Sequence, residues 1–163
     1  MIERAPTRAT PWRWLVGLGL IVLCNAVGFL SSLPGREQPT YEALVQPSWA
    51  PPSWLFAPVW TSLYTLMGIA TYLVWRSPPG PRRRLALGVF AIQLALNASW
   101  SPVFFALHQY AAALVVIVAI LAAVVAMIAT YARVSRVAAA LTVPLALWVS
   151  FATALNAAIV ALN

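Results

Sequence analysis

The chain has 163 residues, of which 63% are hydrophobic and only 8% are charged, and its formal net charge is +7 at pH 7. Soluble domains carry about three times as much charge, so this composition excludes a soluble globular protein and indicates an integral membrane protein. The positive charge comes from ten arginines that flank apolar segments, which indicates membrane topology and contacts with lipid headgroups, not binding of nucleic acid.

Five apolar segments are each long enough to cross a hydrocarbon core of roughly 30 Å as a helix. These predicted spans, numbered one to five in chain order, cover approximately residues 12–33, 53–76, 84–107, 110–132 and 137–162. The fourth span is apolar on every face, which excludes the alternating pattern of a membrane β-barrel. The sequence therefore predicts an all-α protein in which residues 1–163 form a single bundle of five transmembrane helices.

The arginines are distributed unevenly between the two ends of the predicted bundle. Five spans would place nine of them on the side of the N-terminus, whereas Arg36 alone would lie on the opposite side. Short membrane loops that are rich in arginine and lysine stay in the cytoplasm. The N-terminus is therefore predicted to be cytoplasmic and the C-terminus extracytoplasmic.

The longest predicted connection, residues 34–52, joins the first two spans on the extracytoplasmic side. A loop much longer than the other connections of a compact protein is typical of a functional segment, and we expect this one to form a lid over the bundle. Its TYEAL stretch, residues 40–44, predicts a short helical turn. Pro51 and Pro52 lack amide protons and therefore suit the start of the second span.

Three tryptophans are predicted to lie deeper than the aromatic belt that marks a membrane surface. Each belongs to a stripe of aromatic and polar residues at the helical spacing of three or four positions. The stripes consist of Phe56, Trp60 and Tyr64 in the second span, Gln93, Asn97, Trp100 and Phe104 in the third, and Trp148, Ala152 and Asn156 in the fifth. Because an unpaired amide is costly in lipid, the stripes are expected to converge beneath the lid.

The three stripes predict a cavity with flat aromatic faces and a few neutral hydrogen-bonding groups. Such a cavity suits a planar, largely apolar ligand that is bound by stacking. The interior of each predicted span lacks acidic and basic residues, which disfavours an ion-driven transporter. His108 has no second metal ligand nearby in the sequence, so no metal site is predicted. The alternative, that the rings only pack and the amides only join helices, stays open.

A row of small residues runs along the third span beside its aromatic stripe and consists of Ala91, Ala95 and Ser99. Small residues at intervals of four allow two helix backbones to approach closely. The row therefore predicts a homodimer through the third span. Packing of the row inside the bundle is the alternative.

Three segments carry a resemblance to a known family: PSWAPPSWLFAPVWTSLYTLMGIATYLVW, QLALNASWSPVFF and VPLALWVSFATALN. They resemble the signature segments of the tryptophan-rich sensory protein family, TspO/MBR, whose mitochondrial members are the translocator protein or peripheral-type benzodiazepine receptor. The resemblance covers roughly residues 41–162. The first span and the basic N-terminus match that family only in their general apolar and basic character, not in a signature segment.

The resemblance implies a five-helix bundle, commonly a homodimer, that binds tetrapyrroles such as protoporphyrin IX and drug-like isoquinoline carboxamides and that requires no cofactor. By motif position, the ligand-binding residues that it implies are Tyr41, Trp60, Gln93, Asn97, Trp100, Phe104, Trp148 and Ala152. Porphyrin breakdown is attributed to some members of the family. For that reaction the resemblance implies Trp60 and Trp148 as the candidate catalytic residues.

Two departures from the family pattern bear on cholesterol and on origin. Pro144 is followed by Leu145 where family members often have tyrosine, and the arginine-bearing tail by which animal members recognise cholesterol is missing after AIVALN. Cholesterol binding of the animal kind is therefore not predicted, and a bacterial origin is favoured. We accordingly expect the bacterial inner membrane; the outer membrane stays open, because some bacterial members are reported there.

Three functional classes stay open at this point. The favoured one is a membrane receptor that senses porphyrins and regulates tetrapyrrole levels. The second is an enzyme that degrades porphyrin with light and oxygen, for which the sequence offers oxidisable indoles but no metal site, nucleophile or acid–base pair. The third is a facilitator that moves tetrapyrroles or lipids across the membrane.

Overall fold

The structure, a computed structural model, describes residues 12–33 and 40–163, and the regular structure of these residues is entirely helical. The helices are α1 (Trp12–Ser32), α2 (Thr40–Ala43), α3 (Phe56–Trp75), α4 (Pro81–Ser101), α5 (Tyr110–Ala132) and α6 (Arg136–Leu162). A 3₁₀ turn, Ser53–Leu55, leads into α3, and a π-helical turn, Pro102–Ala106, extends α4. The predicted all-α class is confirmed for the described residues.

The helix bounds follow from local sequence signals. α4 begins at Pro81, three residues before the predicted start at residue 84. A proline is tolerated at the first position of a helix because the amide proton that it lacks would have no intrahelical partner there. The short helix predicted within TYEAL is present as α2. Residues 34–39 of the predicted lid lie outside the described part of the chain, as do Arg4 and Arg8, on which the orientation prediction partly depends.

Four of the described helices are long and apolar enough to cross a membrane. They are Trp12–Ser32, Pro81–Ala106, Tyr110–Ala132 and Arg136–Leu162. α3 has 20 residues and is not one of these four. The chain is therefore a multi-pass membrane protein, and α3, the second of the five predicted spans, stays a prediction as a membrane span.

α3 packs against both α1 and α6, and α5 packs against both α4 and α6. Two glycines allow α1 and α3 to lie unusually close together. A Cβ added at Gly68 would lie 2.6 Å from Cα of Ile21, and one added at Gly28 would overlap the ring of Tyr64. The close approach therefore presses the Tyr64 ring against α1, next to the cavity described below.

The bundle has two chemically different ends. At the loop end, α1 finishes at Ser32 and α3 begins at Phe56; at the arginine end, α1 begins at Trp12 and α3 finishes at Trp75. The short helix α2 lies at the loop end, where Tyr41 contacts Phe56 with ring centroids 5.2 Å apart. At the arginine end, the rings of Trp12 and Trp75 meet edge to face at 5.5 Å.

Candidate ligand-binding site

A cavity of about 490 Å³ opens at the loop end of the bundle, between α1, α3, α4 and α6. Its aromatic lining consists of Phe29, Tyr41, Phe56, Trp60, Tyr64, Trp100, Phe104 and Phe105. Its polar lining consists of Asn25, Ser31, Ser32, Ser53, Thr61, Asn97, Ser101 and Asn156. Since none of the described residues that line it carries a formal charge, it is a neutral, aromatic pocket.

One side of the cavity is formed by α3, where Trp60 and Tyr64 lie one helical turn apart. Their rings stack with centroids 5.4 Å apart and an interplanar angle of 30°. The Tyr64 hydroxyl donates a hydrogen bond to Oδ1 of Asn97 on α4 at 3.2 Å. Nδ2 of Asn97 is buried and has no hydrogen-bond partner among the described residues. A buried unpaired donor is unfavourable, so Asn97 has an unused hydrogen-bond donor at the cavity wall.

A second side is formed by α4 and its π-helical turn. Trp100 and Phe104 stack with ring centroids 4.9 Å apart at 27°. The indole Nε1 of Trp100 donates to Oδ1 of Asn156 on α6 at 3.2 Å, and Nδ2 of Asn156 donates to the Tyr110 carbonyl of α5 at 3.0 Å. Asn156 thereby fixes the plane of the Trp100 ring and joins three helices beside the cavity.

The described part of the lid is held in place by hydrogen bonds. The Tyr41 hydroxyl donates to the Pro51 carbonyl at 3.0 Å, and the Tyr41 carbonyl accepts from the Gln46 side chain. Val45 exchanges two hydrogen bonds of 3.0 Å with the Asn163 side chain, which ties the lid to the end of α6. Burial raises the pKa of the Tyr41 phenol, so this hydroxyl stays protonated and keeps donating at neutral pH.

Six of the eight predicted site residues line this one cavity: Tyr41, Trp60, Asn97, Trp100, Phe104 and Ala152. The other two, Gln93 and Trp148, are not part of its lining. Gln93 is 0% exposed, and neither atom of its amide group has a hydrogen-bond partner in the described chain. Trp148 packs edge-on against Phe56, which does line the cavity, with ring centroids 5.9 Å apart. Its influence on the cavity is therefore indirect.

α1 contributes residues to the site that were not predicted from the sequence. Asn25, Gly28 and Ser32, at intervals of three and four, all line the cavity. Nδ2 of Asn25 donates to Oγ1 of Thr65 on α3 at 3.2 Å. The same helical spacing is visible in the NAVGFLSS segment, but the signal is weak because two of the three residues are small and none is aromatic.

The chemistry that this site offers is stacking together with neutral hydrogen bonds. Within residues 12–33 and 40–163, no three His, Cys, Asp or Glu side chains come together as metal ligands would. His108 is exposed in the connection before α5 and has a φ of 55°. The arrangement therefore fits a ligand with a flat, apolar body and a few hydrogen-bonding groups at its edge.

Comparison with known proteins gives a consistent result over most of the chain. The sequence profile of the TspO/MBR family matches residues 20–162. The chain is 44% identical over 151 residues to the tryptophan-rich protein TspO of Chlorobaculum tepidum, covering 88% of this chain and 92% of that protein. It is 37% identical over 147 residues to the translocator protein of Sus scrofa, covering 88% and 87%. It is 34% identical over 150 residues to the tryptophan-rich sensory protein of Cereibacter sphaeroides, covering 92% of each.

Proposed function

This chain belongs to the TspO/MBR family, and from that premise we propose that it is a membrane receptor that binds porphyrins such as protoporphyrin IX and regulates tetrapyrrole levels. The observation that carries the proposal is the convergence of six of the eight predicted site residues on one uncharged, largely aromatic cavity. Its volume of about 490 Å³ lies within the range of roughly 300–1,000 Å³ that is typical of small-molecule sites. A relative named as a sensory protein supports a role in sensing.

In the proposed complex, the flat macrocycle stacks on the rings of Trp60 and Trp100. Each of these rings is backed by a second one, Tyr64 or Phe104, so little side-chain freedom is lost when the ligand binds. The unpartnered Nδ2 of Asn97 donates to an acceptor atom of the ligand and thereby sets its orientation. The same flat faces accept drug-like isoquinoline carboxamides.

Two alternative activities would use the same cavity. Trp60 lines it and carries an oxidisable indole, which supports light- and oxygen-dependent porphyrin breakdown as the first alternative. Trp148, the second candidate catalytic residue, would take part only through Phe56, against which it packs. The second alternative is facilitated transport of tetrapyrroles or lipids, which is supported by relatives named translocator protein.

The proposed membrane arrangement includes α3 as a membrane span in addition to the four long apolar helices. α3 packs against α1 and α6, both of which are long and apolar enough to cross a membrane, and a helix enclosed by such neighbours tolerates polar residues that would be costly in lipid. We place the N-terminus in the cytoplasm of a bacterium, with the chain in the inner membrane. The outer membrane is the alternative location.

A homodimer through α4 forms part of the proposal. The small-residue row of α4, Ala91, Ala95 and Ser99, is exposed throughout. A Cβ added at Gly88, nearly one turn before this row, would meet no atom of another residue within 4 Å. Since the row does not pack against the rest of the described chain, it is free to pack closely against a second copy.

The proposal is tested by titrating the purified full chain with protoporphyrin IX and following the quenching of tryptophan fluorescence. Ala152 lines the cavity, and we expect Ala152→Leu to fill it and to weaken binding about tenfold. The matched control is Ala154→Leu, at an exposed position of the same helix, which we expect to bind like the wild type. Equal affinity of the two variants would contradict binding in this cavity.

Two further measurements separate the receptor from the alternatives. Porphyrin absorbance is followed over time with the purified protein in light and in darkness, and porphyrin flux is followed into sealed vesicles that contain it. A receptor binds porphyrin without consuming or moving it. Loss of porphyrin only in light would favour the enzyme, whereas flux that Ala152→Leu abolishes would favour the facilitator.

A further inference from the structure

The arginine end of the bundle carries a second groove, which is separate from the porphyrin cavity. It has a volume of about 460 Å³ and lies where α1 begins, α3 ends and the following turn leads into α4. Its lining includes Trp12, Arg13, Trp75, Arg76 and Arg83. None of these residues takes part in the function proposed above, so this groove requires its own explanation.

Two of the arginines are held at the end of α3 by backbone carbonyls. Nη2 of Arg13 donates to the Arg76 carbonyl at 3.1 Å, and Nη1 of Arg83 donates to the Ser77 carbonyl at 3.1 Å. The Arg83 guanidinium also lies over the Trp75 ring, 5.6 Å from its centroid. These contacts bring guanidinium groups from α1 and α4 to one place and hold them there.

The positive charge of the groove is not neutralised by the described residues. Glu42 is the only acidic residue among them, and it accepts a hydrogen bond from Ser53 at the loop end. A guanidinium has five N–H donors, and Arg13 and Arg83 each use one of them in the bonds given above. The bonds to the Arg76 and Ser77 carbonyls therefore use one donor of each arginine. The remaining donors and both positive charges are available to a ligand.

The position of the groove identifies the kind of anion that it meets. Two helices that are long and apolar enough to cross a membrane begin beside it, at Trp12 and at Pro81. The groove therefore lies at the depth of the lipid headgroups, where tryptophan and arginine are both favoured. Planar guanidinium groups bind phosphate oxygens with paired hydrogen bonds, which a single ammonium cannot do.

Apolar residues continue from the groove along α1. Leu15, Leu18 and Val22 follow Trp12 at intervals of three and four, and each is more than half exposed. A free phosphate ion would use only the arginines, whereas a phospholipid would use the arginines for its headgroup and this apolar face for an acyl chain. We infer that the groove is a binding site for the phosphate headgroup of an anionic phospholipid. The inference does not depend on porphyrin binding at the other end.

Native mass spectrometry of the full chain in detergent tests this site, with phosphatidylglycerol and phosphatidylcholine of identical acyl chains as the two probes. We expect the wild type to retain one phosphatidylglycerol about tenfold more tightly than phosphatidylcholine. The Arg13→Gln/Arg83→Gln variant should lose this preference. The matched control is Arg133→Gln/Arg136→Gln, which removes two exposed charges at the same end but outside the groove and should keep it.

Two results would overturn the assignment. Equal loss of the preference in both double variants would mean that only the general surface charge attracts the lipid. Displacement of phosphatidylglycerol by millimolar inorganic phosphate would mean that the groove is a site for free phosphate. If Arg13→Gln/Arg83→Gln does not fold, the Arg13→Lys/Arg83→Lys variant is used in its place. It preserves both charges but replaces each planar guanidinium with an ammonium, which cannot form paired hydrogen bonds. About threefold weaker retention by that variant supports the site, and unchanged retention contradicts it.

Discussion

The indole nitrogen of Trp100 donates to Oδ1 of Asn156 at 3.2 Å, across 56 positions of the chain. The same Asn156 side chain donates to the Tyr110 carbonyl at 3.0 Å. One amide of α6 therefore holds a cavity ring of α4 in a fixed plane and also gives the first carbonyl of α5 an additional hydrogen bond. The orientation of the Trp100 ring in the cavity therefore depends on this amide.

The first prediction concerns that amide. Asn156→Ala removes the bond to the Tyr110 carbonyl and leaves the Trp100 indole N–H unpaired, which should lower the free energy of unfolding by about 1–3 kcal/mol. With the ring no longer held, porphyrin affinity should also fall several-fold. Thermal unfolding and fluorescence titration measure the two effects. Ser150→Ala is the control, because Ser150 is exposed and bonds only within its own helix; wild-type affinity in Asn156→Ala would show that the bond does not position the ring.

The second prediction concerns stacking on Trp60. Trp60→Phe retains an aromatic face, whereas Trp60→Ala removes both the stacking contact, worth about 0.5–1.5 kcal/mol, and the apolar area that the ring would bury against the ligand. We therefore expect roughly tenfold or greater weakening for Trp60→Ala and only a few-fold weakening for Trp60→Phe. Trp14→Ala serves as the control, since Trp14 is 60% exposed and lies outside the cavity. Equal affinities in Trp60→Ala and Trp14→Ala would mean that Trp60 is a packing residue.

The third prediction concerns the hydroxyl of Tyr64. Its hydrogen bond to Oδ1 of Asn97 fixes the rotation of that amide and therefore the position of Nδ2. Tyr64→Phe keeps the ring but frees the amide to rotate, so the bound porphyrin should change orientation more than affinity. Induced circular dichroism in the Soret band measures the orientation, with Tyr72→Phe at the arginine end as the control. An unaltered Soret spectrum in Tyr64→Phe would argue against Asn97 as an orienting group.

The fourth prediction concerns assembly. Ala95 lies in the exposed small-residue row of α4, and a phenylalanine there would keep two backbones apart. Ala95→Phe should therefore yield monomers that still bind porphyrin, as measured by light scattering after size-exclusion chromatography in detergent. Val115→Phe is the control, because Val115 is 71% exposed on α5, away from the row. An unchanged dimer in Ala95→Phe would exclude α4 as the interface.

The fifth prediction concerns sidedness. The arginine end, with Arg76, Arg82, Arg83 and Arg84 in or near the turn between α3 and α4, should face the cytoplasm. Asn163 contacts the lid at the loop end, so a reporter fused to the C-terminus should be extracytoplasmic. A phosphatase reporter and a cytoplasm-specific reporter measure this in parallel. Activity of the cytoplasmic reporter alone would show that the orientation is the opposite of the one predicted.

The sequence by itself determined the membrane class, the helical architecture and most of the aromatic lining of the cavity. Composition and segment length follow directly from the cost of exposing charges and backbone to lipid. The helical period is a local property, so residues on one face, such as Trp60 with Tyr64 or Asn97 with Trp100, could be grouped without a structure. Of the ten residues in the three stripes, eight line one cavity.

Only the tertiary structure decided which members of each stripe reach the cavity. Trp148 and Ala152 lie one turn apart on α6, yet Ala152 lines the cavity and Trp148 packs against Phe56. Periodicity specifies which residues share one face of a helix. It does not specify which other residues pack against that face, because this packing depends on the distances between helices. Those distances are set by contacts remote in sequence, such as Gly28 against Tyr64, which also bring α1 into the cavity wall.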